Sequence, residues 1–157
     1  MDAHTRVVSL YVKYVKGWFT QPDLSVGSGQ DISLLAFDPV GNRRVHLEVD
    51  MGRAAMELKD TAALGEWVKA RFGSIDRDLA LVQIGFAPRA NIKILVSRNC
   101  SPSLEQACVG QNIEIWLFTQ MVEELRKALR NRLAANDSEG RVLQLLLYPP
   151  KNTYVNG

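Results

Sequence analysis

Apolar and polar residues alternate along this chain in blocks that change period several times. From Thr5 to Phe19 the residues Val7, Val8, Leu10, Tyr11, Val12, Tyr14, Val15 and Trp18 form a broad apolar stripe at helical spacing, and Gly17 offers a stop. After Gln21 and Pro22, the segment Asp23 to Val26 reads as a short first strand, and Gly27-Ser-Gly29 as a flexible turn. Two apolar runs follow, Asp31 to Phe37 and Arg43 to Asp50, separated by Asp38-Pro-Val-Gly-Asn42. Asp and Pro at the first two turn positions, with Gly41 and Asn42 able to take positive φ, predict a hairpin.

Beyond Gly52 the pattern predicts a long helix over 53–72, with Ala55, Met56, Leu58, Leu64, Trp67 and Val68 available for burial and Gly73-Ser74 ending it. The stretch from Asp76 to Phe86 satisfies neither the helical nor the strand period, and Pro88 closes it. Asn91 to Ser97 reads as a buried strand, Ser101 to Gly110 as a capped helix and Asn112 to Phe118 as another strand. Thr119 is expected to cap a helix reaching about Arg132; a loop over 134–140 then leads to an apolar element, Arg141 to Tyr148, that reads as a strand. The expected fold is α/β, in the order helix, three strands as a meander, helix, strand, helix, strand, helix.

A length of 157 residues with 46% hydrophobic content predicts one domain with a single core. The formal net charge of +2 carries no global sign of nucleic-acid binding, so any basic surface must be local. No apolar stretch approaches a membrane span and no leader pattern begins the chain, so the expectation is a soluble, cytoplasmic protein with no membrane partner. Cys100 and Cys108 stand eight positions apart without the spacing of a structural zinc site, and are expected to be reduced thiols around one helix.

Candidate chemistry gathers in the hairpin. Asp31 opens its first strand, while Glu48 and Asp50 end its second. Side chains alternate along a strand, so the register decides whether these acids share a face. A four-residue loop, Pro39 to Asn42, sets Asp31 opposite Asp50 and Ser33 opposite Glu48. A three-residue loop, Pro39 to Gly41, sets Asp31 opposite Val49 and requires a bulge. His46 lies two residues before Glu48 on the same face, either as a base or metal ligand or as a strand histidine satisfied by a neighbouring carboxylate or backbone group. Pro22-Asp23 also offers an acid, but as an ordinary turn signal.

An Asp at the start of the second strand and a Glu near the end of the third, set in this order of elements, resemble the PD-(D/E)xK superfamily of restriction-endonuclease-like domains over about residues 5–132. The resemblance implies a mixed sheet flanked by helices, with 141–148 as an added C-terminal element. It also implies Asp31 and Glu48 as ligands of Mg²⁺ or Mn²⁺, the main chain at Val49 beside them, and hydrolysis of DNA phosphodiesters. Two departures stand out. The family's lysine position holds Asp50, which adds a third carboxylate to the expected catalytic and metal-binding set, and the first helix contains no acid from Arg6 to Phe19. A compensating cation is sought at Arg53 or Lys59.

Two functions follow as expectations: a Mg-dependent deoxyribonuclease of atypical chemistry, or a catalytically inactive nuclease-like domain that binds nucleic acid or protein, with pairing into a homodimer. The basic residues Arg43, Arg44, Lys69, Arg71, Arg89 and Lys93, with Arg126, Lys127, Arg130 and Arg132 late in the last helix, permit a DNA-binding face or merely suit the helix dipole.

Overall fold

A computed structural model of the chain describes residues 2–25, 31–51, 60–86 and 91–131. It is an α/β domain built on one five-stranded mixed sheet. Its strands are β1 (Phe19–Leu24), β2 (Ile32–Asp38), β3 (Arg43–Asp50), β4 (Ile92–Ser97) and β5 (Ile113–Leu117), lying side by side in sequence order. The first three form an antiparallel meander, and β4 and β5 run parallel to β3. The helices are α1 (Ala3–Tyr11), α2 (Thr61–Phe72), α3 (Ile75–Gln83), α4 (Pro102–Val109) and α5 (Phe118–Asn131).

Local chemistry sets most of these boundaries. The Asp2 carboxylate accepts from the N–H groups of His4 and Thr5 and starts α1. Asp60, Ser74 and Ser101 cap α2, α3 and α4 in the same way, and Pro102 sits where its missing N–H costs nothing. The first helix is shorter than its apolar stripe, since α1 passes at Val12 into a π-helical turn, Val12–Lys16. Gly17 closes that turn with φ of 72°, a conformation glycine takes without steric cost, as the Trp18 N–H reaches the Val12 carbonyl.

Three boundaries differ from the sequence expectation. The first strand lies at Phe19–Leu24 rather than 23–26. It is an edge strand, where a proline such as Pro22 lacks only an N–H that faces away from the sheet. The ambiguous stretch after Asp76 folds as α3. Helix α5 begins at Phe118, directly on the end of β5, so Thr119 lies inside it. The expected C-terminal element at 141–148 falls outside the described residues, as do the start of the long helix at 53–59, Arg89 and Arg132.

The sheet separates two helical layers. On one face α1, its π turn and α5 pack on Leu34, Ala36, Val45, Leu47, Ile94 and Val96. On the other, α2 and α4 cover Leu95 and Ile113, while Leu81 of α3 meets Ile32 and Leu35. Burying each large aliphatic side chain contributes roughly 1.5–3 kcal/mol against chain entropy. The inner strand β4 is covered on both faces, which accounts for its consecutive apolar residues Ile94, Leu95 and Val96. Among the described residues no helix is long and apolar enough to cross a membrane.

Candidate functional site

The hairpin adopts the four-residue turn. Asp38 pairs with Arg43 and Phe37 with Arg44, a register that continues to Leu34 opposite Leu47. The turn is self-reinforcing, because the Asp38 carboxylate accepts from the Val40 and Gly41 N–H groups and from the Arg43 guanidinium. Those contacts, the Gly41 N–H foremost, hold the Asp38 carboxyl below its ordinary pKa. Past Leu34 the alternation is broken, since Ile32 and Leu35 join one apolar cluster. There the Ser33 hydroxyl accepts from the Val49 N–H and donates to Glu48 Oε2 at 3.1 Å.

Glu48 is the centre of the arrangement. It lies in the middle of the sheet, fully buried on the face covered by α2 and α3, and its two oxygens are held by four side chains. Oε1 takes His46 Nε2 at 2.8 Å and Arg77 Nη1 at 3.0 Å. Oε2 takes Ser33 Oγ and, at 3.4 Å, Arg71 Nη1. Burial alone pushes the Glu48 carboxyl upward, but the hydrogen bond and electrostatic pull of His46, followed by the charge and hydrogen bond of Arg77, outweigh it and leave the pKa lowered. An ionised carboxylate only accepts, so the proton on the shared side of the imidazole sits on Nε2. The ring is held edge-on against Phe72, and its Nδ1 has no hydrogen-bond partner among the described residues.

Arg77 is 3% exposed, rare for an unpaired cation and understandable for a paired one. Nη1 binds Glu48 and Nη2 donates to the main-chain carbonyl of Asp31 at 3.2 Å, so one guanidinium ties the two strands of the hairpin together. Arg71 is held less tightly. It stacks on Trp67 and points past Glu48 to Asp50, whose Oδ1 is 3.9 Å away.

The three acids expected to act together have thus been given different surroundings. Glu48 is locked among donors, Asp50 is buried at the end of β3 beside Arg71, and Asp31 is exposed. Asp31 lines a pocket of about 390 Å³ with Trp67, Ala70, Arg71 and Arg77. A Mg²⁺ ion requires oxygen ligands at about 2.0–2.1 Å. Glu48 can offer Oε1 only if Arg77 leaves its buried position, and Oε2 only by displacing Ser33 and the partly exposed Arg71, so the residues as arranged fit an arginine rather than a metal ion. Among the described residues no group of three His, Cys, Asp or Glu side chains is placed to hold a metal.

Arg77 was hidden from sequence reasoning and Arg71 was read only as part of a basic face, while the compensating cation was sought at Arg53 or Lys59, both outside the described residues. Asp23 sits in β1 with φ of 50°, skipped by the pairing of Pro22 with Leu34 and Leu24 with Ile32. Cys100 is exposed and Cys108 buried, both as free thiols, and burial pushes Cys108 up to about 11. No family model, curated protein or solved structure matches the chain.

Proposed function

We propose that this chain is a restriction-endonuclease-like domain of the PD-(D/E)xK type whose acid centre is held by arginines, and that it binds nucleic acid without hydrolysing it. The meander β1-β2-β3 followed by a strand parallel to β3, with Glu48 near the end of β3, supports the fold assignment. The observation that carries the functional reading is the saturation of Glu48 by His46, Ser33, Arg71 and Arg77. Phosphodiester hydrolysis of this type needs carboxylates that polarise phosphate and water through a hard cation. Here the same carboxylate neutralises the buried Arg77 and the partly exposed Arg71 instead, a role that stabilises the hairpin rather than activating water.

The Mg²⁺ or Mn²⁺ nuclease reading, with Asp31, Glu48 and Asp50 as ligands, keeps one observation in its favour. Asp31 is open to the pocket, and the Arg71 contacts of 3.4 and 3.9 Å are the longest at the centre. Incubation of the native chain with single-stranded, double-stranded and branched DNA, in Mg²⁺ and in Mn²⁺, separates the two. The arginine-held centre predicts no cleavage. Cleavage that disappears in both Asp31→Ala and Glu48→Ala establishes the nuclease. Light scattering on the same sample measures the expected pairing of two copies.

A further inference from the structure

Among the described residues the two helical layers differ in charge. The outer surface of the α1 and α5 layer presents Arg6, Lys13, Lys16, Arg126, Lys127 and Arg130, all exposed, against the exposed acids Asp2, Glu123 and Glu124. The opposite layer, which covers Glu48, has the reverse balance. Its exposed charges on α2, α3 and α4 and at their caps are Asp60, Glu66, Asp76 and Glu105, opposed by Lys69. Arg71 and Arg77, on that side, are committed to Glu48. A net charge of +2 over the whole chain conceals this division.

Arg6 and Lys13 fall seven positions apart, about two helical turns, and Lys16 ends the π-helical turn that holds Lys13. Lys127 and Arg130 lie three apart on α5. The two helices are neighbours, joined by the Tyr11 hydroxyl donating to Glu124 and by His4 packing edge-on against Phe118. Lys16 lies over the Tyr11 and Trp116 rings, so its ammonium is placed by the packed surface beneath it.

We propose that the α1 and α5 layer is the nucleic-acid-binding surface of this domain, on the face of the sheet opposite the Glu48 centre. This rests on the nucleic-acid-binding reading above and gives it a location. Among the described residues, the large exposed hydrophobics are Phe19, Val40, Ile75, Leu79, Val82, Ile84 and Val109, none of them on α1 or α5. A protein partner or a lipid surface would draw on an apolar anchor, and these helices present none. A surface whose exposed cations outnumber its acids instead suits a polyanion such as duplex DNA, which carries a phosphate about every 3.4 Å along each strand. Binding there would read no sequence, since it engages the backbone alone. It would also keep the DNA a sheet and a helical layer away from Glu48, which agrees with a centre that does not cut.

The test uses the full chain and a fluorescein-labelled duplex of mixed sequence, with affinity followed by anisotropy over a range of salt. The wild type is expected to bind more weakly as salt rises. Lys13→Gln/Lys16→Gln is expected to lower the salt slope by about 2, roughly one for each phosphate left unneutralised, with at least a tenfold weaker affinity at low salt. Adding Glu66→Lys to that variant restores the net charge on the opposite face, and is expected to leave binding weak. Circular dichroism and thermal melting of each variant verify the fold. Full recovery by Glu66→Lys, or unchanged binding by the Lys13→Gln/Lys16→Gln variant, overturns the location while the nucleic-acid-binding reading stands. Absence of duplex binding even at low salt overturns both.

Discussion

Replacing Arg77 by methionine removes a buried guanidinium while keeping most of the side chain's apolar stem, so packing changes little. The loss is electrostatic. Arg77 supplies Glu48 with its closest guanidinium contact, at 3.0 Å, and clamps the Asp31 carbonyl at 3.2 Å, in a position 3% exposed. Without it the buried Glu48 retains His46 and Ser33 and the more distant Arg71. Removing one member of a buried ion pair costs about 3–5 kcal/mol, a large share of the ~5–15 kcal/mol that holds a domain together. Urea denaturation followed by circular dichroism measures it, as a fall in midpoint at unchanged slope. A second variant, Glu48→Gln/Arg77→Met, removes both charges and is expected to lose less than the sum of the two single losses by at least about 1 kcal/mol. The pH dependence has a definite sign. Glu48 is depressed below its ordinary value of 4.5, so the unfolded chain takes up the proton first. Its stabilising contribution is present above about pH 4.5 and is lost as the pH falls through the folded value. The wild type should therefore lose more stability on acidification than Arg77→Met. A loss below about 1 kcal/mol in Arg77→Met, or parallel acid curves for the two proteins, would refute the pairing of Arg77 with an ionised Glu48.

Ser33→Ala deletes the hydroxyl that both donates to Glu48 Oε2 and accepts from the Val49 N–H, and is expected to cost about 1–3 kcal/mol in the same urea assay. Iodoacetamide should modify the exposed Cys100 in the native protein well before Cys108, whose thiol is buried and pushed up to about 11. Mass spectrometry of the timed reaction checks this order, which should vanish in denaturant.

The hairpin was legible because its chemistry is local. Asp38, Pro39, Gly41 and Asn42 make a turn whose contacts span at most five residues, and the apolar alternation on both sides sets which residues are buried. His46 and Glu48, two apart on one strand, were placed on one face by the pleat alone. What could not be read is the partner that crosses 29 residues, Arg77 with Glu48. On α3 the usual order is inverted: Arg77 and Leu81 face the sheet, while Ile75, Leu79 and Val82 are exposed. Periodicity assigns Arg77, between Asp76 and Asp78, to solvent. The same inversion explains why the segment fitted no period. The charge division between the helical layers was likewise hidden, since it depends on which helix lies on which face of the sheet.

Whether guanidinium groups or a divalent cation complete the Glu48 centre is tested most directly by calorimetric titration of Mn²⁺ into the native chain at neutral pH. An arginine-held centre predicts no heat of specific binding; a saturable one-site isotherm that is abolished by Glu48→Ala in a folded variant would contradict it.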